Sequence, residues 1–421
     1  MQGRRVVGEL GEVPAARVDS VAQEIDDGDR GEDPAATAGT GRDGGRVEVV
    51  GEDEEPGGLV DGEHELLPVF VEDRQHVVGG RHRQDGTARA RRHRRPYAAR
   101  FVHAVTVVEG TLAWGDHADP VPGSQELLVA VRAAGLNGAD MLQRRGLYAA
   151  PPGSPADIPG LELAGEVLAT GPGCTRFAAG DRVMAVVGGG GQAELAVVHE
   201  RAALPVPDRL SWPEAGGFPE VFTTAHDALF TQCGVTIGER VLVHGAAGGV
   251  GLAGVQLAAC AGAHVVATVR DEARRADVAR IGQSCGSVDV VAPDGFVEHG
   301  PYDVVLEVVG APNLPDDLDA LALGGRIAVI GVGAGARAEV NLLALMGARG
   351  RVHGSTLRSR PLEQKADAAQ LVDRHVLPLV ARGRIQIPVD ATYPMADATE
   401  AYDRFEAGGK LGKIVLVNPS E

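Results

Sequence analysis

The stretch Val241–Gly251, which reads VLVHGAAGGVG, decides the fold. An apolar run ending at His244 passes straight into a glycine-rich loop. The apolar segment Val250–Ala261 that follows reads as a buried helix. A strand–loop–helix unit offers free backbone N–H groups and the positive end of the helix dipole to an anion. The glycines permit the tight turn and let the backbone approach a pyrophosphate. Gly245, Ala246, Gly248, Gly249, Val250 and Gly251 are therefore the candidate dinucleotide-binding residues. The spacing is GxxGxxG, with Ala247 where the usual fingerprint has its second glycine. A glycine-rich turn in some other parallel sheet is the competing reading.

Downstream, strands are predicted over Val265–Val269, Val288–Ala292, Val304–Val308 and Arg326–Ile330, with a helix over Glu272–Ile281. Such alternation implies a parallel, doubly wound α/β sheet. Gly331 and Val332 follow a strand at the carboxyl edge, where cofactors bind, although a simple turn is the alternative. The end of Val265–Val269 selects the cofactor. An acid there reads the ribose hydroxyls, but this chain has Val269 followed by Arg270, with Arg274 and Arg275 one helical turn on. A guanidinium fork suits a 2′-phosphate, which favours NADPH over NADH. Asp271 and Glu272 argue the other way, unless they serve as first-turn acids of the helix.

Upstream, Glu126–Ala133, Leu163–Leu168, Arg182–Val187 and Ala193–Val198 read as short strands separated by Gly and Pro. Ser211–Phe230 is predicted as one helix, capped by Ser211 with Pro213 in its first turn. Helices over Leu362–Val380 and Ala396–Phe405 and a strand over Lys413–Val417 close the chain.

A hydrophobic content of 44% is enough for a sizeable core, and a net charge of −18 argues against a general nucleic-acid binder. No apolar run of about 18 residues occurs, so no membrane span is expected. Cys174, Cys233, Cys260 and Cys285 are scattered and form no CxxC pair. Reduced thiols and a cytoplasmic location are the expectation.

Residues 1–100 differ from the rest. They hold 15 Arg, 21 Asp plus Glu and no Lys, with no sustained apolar period. Disorder or weak structure is expected there. The run Arg91-Arg92-His93-Arg94-Arg95 reads as a solvated linker rather than a nucleic-acid patch, given its acidic flank. No Met lies between Met1 and Met141, and the globular pattern begins abruptly at Val102. A true start near Val102 is a third reading of this segment.

With the loop placed, five further stretches fall into line. They are Ala133–Tyr148 (AAGLNGADMLQRRGLY), Ile158–Gly165 (IPGLELAG), Gly180–Gln192 (GDRVMAVVGGGGQ), Phe218-Pro219-Glu220 and Leu357–Arg360 (LRSR). Residues 102–421 thereby resemble the medium-chain dehydrogenase/reductase superfamily. Within it they are similar to the zinc-free, zeta-crystallin-like quinone oxidoreductase branch and its tumour-suppressor-inducible subgroup. The resemblance implies a Rossmann-type sheet, about 222–356, inserted in a GroES-like β-barrel catalytic domain of about 101–221 and 357–421. It also implies a homodimer, with nicotinamide and a quinone-like small-molecule acceptor in the cleft between the domains. A conjugated enone or enoyl acceptor is electronically similar, and a non-catalytic NADPH-binding role is the reading from another class.

The resemblance also assigns roles. Asn137, Asp140 and Tyr148 would position or protonate the acceptor. Asn and Asp three residues apart are equally good helix caps, and Tyr148 is equally readable as a packed aromatic. Glu220 and Thr224 would lie under the nicotinamide and near the phosphates. Lys410 and Lys413, two of the three lysines in the chain, would approach the cofactor. Arg358 and Arg360 would face the cleft unless they are surface residues. Zinc-dependent relatives place a Cys where this chain has Asn137 and a His where it has Leu161, beside Glu162. Three protein ligands are the minimum for catalytic zinc, so no metal is expected. One departure bears on the cofactor. NADPH-binding members often carry a Tyr after the third strand, and here that stretch is Val291-Ala292-Pro293-Asp294.

Overall fold

Alternation along Glu126–Ala133 puts every second side chain of this part of the strand inside, and the strand's end is buried on both faces. An antiparallel sheet grows around it. In chain order, β1 (Phe101–Val108) and β2 (Thr111–Ala118) form a hairpin turned by Glu109 and Gly110. Their φ values of 49° and 80° suit the left-handed turn that a twisted two-stranded ribbon needs. There follow β3 (Glu126–Gly135), α1 (Gly138–Arg144), β4 (Glu162–Thr170), β5 (Arg182–Val186), β6 (Leu195–His199) and β7 (Ala203–Pro205). The computed structural model describes residues 101–419. The expectations for 1–100, including the arginine-rich run, lie outside the described residues.

The helix predicted over Ser211–Phe230 is three pieces: α2 (Trp212–Gly216), α3 (Pro219–His226) and a π-helical turn, Asp227–Gln232. Ser211 caps α2 as expected. Its hydroxyl accepts from the Glu214 N–H, and the Glu214 carboxylate accepts from the Ser211 N–H at 2.9 Å. The break comes at Gly216-Gly217 and Pro219, which has no N–H to continue the ladder. Then come β8 (Arg240–Val243), α4 (Gly249–Cys260), β9 (His264–Thr268), α5 (Glu272–Gln283), β10 (Val288–Val291), β11 (Tyr302–Glu307), α6 (Leu314–Asp319), β12 (Leu321–Val329), α7 (Leu342–Gly347) and β13 (Arg351–Gly354). The helix predicted over Leu362–Val380 is interrupted in the same way, at Pro378. It gives α8 (Leu362–His375) and α9 (Leu377–Ala381), before β14 (Val389–Pro394), α10 (Ala398–Glu406) and β15 (Lys413–Val417).

Six strands form an all-parallel sheet in the order β10-β9-β8-β11-β12-β13. Its first strand, β8, lies inside the sheet, with successors on both sides. The strand order reverses at the carboxyl end of β8, the place where such sheets bind ligands. The other sheet runs β14-β15-β3-β4-β5-β7, with β6 also on β3. Its C-terminal strands β14 and β15 complete a sheet begun more than two hundred residues earlier, so the parallel sheet is an insertion in it. One buried cluster joins Ala164 and Met184 of the antiparallel sheet to Val243 of the parallel one and Leu252 of α4. Phe218 and Phe222, stacked at 4.6 Å on and beside α3, belong to it.

The thiol expectation needs correction. Cys260 at the end of α4 and Cys285 just after α5 are disulfide-bonded, and only Cys174 and Cys233 are free. Their separation in sequence concealed that α4 and α5 lie side by side. Among the described residues no helix is long and apolar enough to cross a membrane.

Candidate active site

The glycine loop is shaped for close approach. Gly245 sits at φ +59°, and a Cβ at Gly251 would fall 2.5 Å from the Gly245 carbonyl oxygen. Ala246 is buried, with its N–H bound to the Thr268 carbonyl at 3.0 Å. Gly248 caps α4. The N–H groups of Gly249, Val250 and Gly251 precede the first intrahelical bond, from Leu252 to Gly248. Three donors thus point out of the helix N-terminus without an acceptor among the described residues, which fits a pyrophosphate.

The residues around the end of β9 gather a basic mouth. Arg270 is exposed, and a Cβ at Gly408 would lie 3.9 Å from its Nη2. Arg274 donates from Nε and Nη2 to the Gly409 carbonyl at 3.2 and 3.0 Å and lies 3.5 Å from Asp390. Lys410 follows that turn, with its ammonium 4.1 Å from the Phe405 ring centre. Burial, with Lys413 nearby, pushes the Lys410 amine down to about 8. Arg270 and Arg274 meet the distant Lys410 at one turn, although part of Arg274 is already committed to that turn. Arg275 instead donates to the Val269 carbonyl at 3.1 Å.

Asn137, Asp140 and Glu162 also meet, with a fourth residue at their centre. Lys413 Nζ donates to Asn137 Oδ1 at 2.7 Å and the Leu136 carbonyl at 2.8 Å, and lies 2.7 Å from Glu162 Oε1. Asn137 Nδ2 donates to Glu162 Oε1 at 3.0 Å. The other Glu162 oxygen accepts from the Glu220 N–H at 2.9 Å, where α3 begins. The Lys413 stem runs beside the glycine loop: a Cβ at Gly249 would meet its Cδ at 2.9 Å. Lys413 therefore ties the start of the cofactor helix to the Asn137 segment. Asp140 needs correction as a residue that touches acceptor. It is fully buried, and its oxygens accept from Asn137 N and Gly160 N at 2.8 and 3.0 Å, so it does the work of a helix cap. Burial raises its carboxyl to about 6.

Tyr148 lies half-buried under the guanidinium of Arg358, 4.9 Å from its ring centre, and burial raises its hydroxyl. Arg358 is no surface residue. It is buried and donates to the carbonyls of Gly188 and Tyr148 and to Gln143 Oε1, at 2.7, 2.9 and 2.6 Å. Arg360 pairs with Asp227 at 2.7 Å, away from Tyr148. Thr224 donates to Glu220 Oε1 at 3.1 Å. Burial and the neighbouring Glu162 carboxylate push Glu220 up to about 7. Gly331 packs so closely on Val308 that a Cβ would fall 2.3 Å from the Val308 carbonyl, while Val332 is exposed. A groove of about 770 Å³ is lined by Arg209, Pro213, Arg280, Ile387 and Asp390 and shares no residue with the predicted site.

The donor set does not fit a metal at Asn137 and Glu162. Leu161 has no donor atom, and an ammonium already occupies the space between the two oxygens.

A pyrophosphate loop at a sheet switch point, opening toward a polar nest from a second sheet, defines a nicotinamide-dependent oxidoreductase. Comparison with known proteins agrees. Residues 123–208 match the family described as alcohol dehydrogenase GroES-like domain, and 264–416 that described as zinc-binding dehydrogenase. The second span contains neither Asn137 nor Leu161. The quinone oxidoreductase of Rattus norvegicus is 31% identical over 307 residues, 71% of this chain and 91% of the relative. That of Homo sapiens is 30% identical over 311 residues, 72% and 92%. Among solved structures, a mycobacterial protein complexed with NADPH matches with a TM-score of 0.66 and 28% identity, covering 75% of this chain and all of that one. A thermostable alcohol dehydrogenase from Pyrobaculum aerophilum matches with a TM-score of 0.65 and 29% identity, covering 76% and all of it. The chain belongs to the medium-chain dehydrogenase/reductase superfamily, in its quinone oxidoreductase branch.

Proposed function

We propose that the chain is a zinc-independent reductase that uses NADPH to reduce quinones or similar conjugated carbonyl acceptors, and that it works as a homodimer. The observation that carries the reading is Lys413, whose ammonium is held by Asn137, Glu162 and the Leu136 carbonyl. A fixed cation there opposes a dication at the same oxygens. Without a Lewis acid to ionise an alcohol, the acceptor must already be electron-poor.

When bound, NADPH supplies the hydride. The protein's part is orientation. The loop Gly245–Gly251 and the free amides of α4 hold the pyrophosphate. Arg270, with Arg274 and Lys410, meets the 2′-phosphate, and Gly331 and Val332 flank the nicotinamide side. The preference for NADPH is supported by this basic mouth and by a relative solved with NADPH. Tyr148, clamped by Arg358, is the hydroxyl that can donate a proton to the reduced acceptor. Asn137 is an anchor whose amide sets the Lys413 ammonium, rather than a free donor.

The test is an initial-rate panel with the full-length protein and NADPH, in which loss of nicotinamide absorbance is followed with quinones, enones, enoyl thioesters and saturated ketones. Turnover of quinones and none of saturated ketones is expected. Turnover of enoyl thioesters alone would reject the quinone assignment, and NADPH binding without any turnover would favour a non-catalytic role.

A further inference from the structure

Behind the glycine loop lies a second polar assembly that the cofactor site does not use directly. His244, the residue before Gly245, is 1% exposed. Its Nδ1 is 3.0 Å from Thr268 Oγ1 and its Nε2 is 2.8 Å from Asp317 Oδ1. The Gly245 N–H donates to the same Thr268 oxygen at 3.3 Å. One donor order satisfies the series. The Gly245 amide donates to the threonine oxygen, the threonine O–H donates to Nδ1, and the Nε2–H donates to Asp317. Phe296 meets the imidazole ring edge-on at 4.8 Å.

Glu307 stands beside this series, its Oε2 3.9 Å from His244 Nε2. Its carboxylate accepts from the N–H groups of Val309 and Gly310 and from Asn313 Nδ2, and its carbonyl from Gly331 N at 3.2 Å. His244, Glu307 and Asp317 are all buried, and Asp317 Oδ2 has no hydrogen-bond partner among the described residues. Burial raises both carboxyls above their ordinary range.

The three segments that converge here are the three that frame the cofactor. Gly245 opens the pyrophosphate loop. Thr268 ends β9, two residues before Arg270. The loop 308–310, pinned by Glu307, packs against Gly331. We propose that His244 is a positioning residue for the dinucleotide: through Thr268 its imidazole joins the pyrophosphate loop to the ribose-selecting strand end, and Asp317 holds the other ring nitrogen beside Glu307, which pins the nicotinamide-side loop. This rests on the reading that a nicotinamide dinucleotide docks on Gly245–Gly251.

Three full-length variants test it: His244→Gln, which keeps one amide donor; Thr268→Val, which keeps volume and removes the hydroxyl; and Asp317→Asn, which keeps an acceptor for Nε2. NADPH affinity is read from the fluorescence of the bound reduced nicotinamide, alongside thermal midpoint and kcat. His244→Gln and Thr268→Val are each expected to weaken NADPH binding about tenfold, with kcat at saturating cofactor within about twofold. The double variant should lose no more than the worse single one, because both interrupt one series. Asp317→Asn should stay within about threefold of the parent.

Unchanged NADPH affinity in folded Thr268→Val and His244→Gln would overturn the proposal. So would losses that simply add, or a loss with Asp317→Asn as large as with His244→Gln. One equivalent of metal held by the parent and lost in His244→Gln would replace the hydrogen-bond account with a metal site. A parent protein that binds no nicotinamide dinucleotide would instead sink the cofactor reading itself.

Discussion

At the scale of single residues, charge placement explains more than residue type. Arg270 is exposed at the end of β9, whereas Arg274 already shares its fork with Gly409 and Asp390. Replacing both with Ala should raise KM for NADPH about tenfold and leave KM for NADH nearly unchanged, as steady-state kinetics with each cofactor will show. Equal effects on the two cofactors would mean that the pair does not read the 2′-phosphate. Glu220 gives a pH signature. Burial raises its carboxyl from 4.5 to about 7, so the fold prefers the neutral acid. The associated stability is present below pH 4.5 and is lost as pH climbs through about 7. Glu220→Gln stays neutral throughout. Its melting temperature should therefore gain on the parent's across that window; a difference that is flat or falls with pH contradicts the assignment. The candidates Asn137 and Asp140 were legible as a pair, because three-residue spacing at a helix start is a local pattern. Their partner was not. Lys413 lies 276 residues from Asn137 in sequence, and no local signal announces a contact that only sheet closure creates.

At the scale of elements, periodicity located strands and helices, and proline located their breaks. Pro219 and Pro378 each sit inside a predicted helix and each divides it in the structure. Short strands escaped the reading for a different reason. β13 has one large apolar residue, Val352, so it shows no alternation, and it becomes a strand by pairing with β12. The element with the largest mechanical role is β15. It pairs with β3 through Val415–Val417, Gly412 donates to the Ala247 carbonyl at 2.8 Å, and Lys413 reaches Asn137. Lys413→Met leaves the Glu162 carboxylate buried without its cation, a change that costs about 3–5 kcal/mol. Chemical denaturation should show that loss, and adding Glu162→Gln should recover most of it. A double variant no more stable than the single one would mean that the Lys413 stem, and not the ion pair, carries the contribution.

At the scale of the whole molecule, the parallel sheet ends on an edge that no strand pairs with among the described residues. β13 is the outer strand, and Val340, Leu342, Leu343, Met346 and Val352 near it are all exposed, Leu343 at 78%. An unpaired strand beside an apolar helix favours self-association through a two-fold axis. Light scattering is expected to give a dimer, and Leu343→Glu with Met346→Glu to give a monomer that still binds NADPH. A parent that is monomeric at micromolar concentration contradicts the dimer. The general architecture was open to sequence reading because the loop Gly245–Gly251 and the strand–helix alternation are both local. The joining of the two sheets by β15 and α3 is long-range and had to be seen.

Lys413 holds the oxygens that a metal would require, so the proposed hydride transfer is expected to need no metal. The most direct test is the rate of quinone reduction by NADPH after exhaustive chelation, with metal content measured on the same sample. Undiminished turnover by protein holding far less than one metal per chain is the predicted result. Activity that disappears with the metal and returns with added zinc would contradict it.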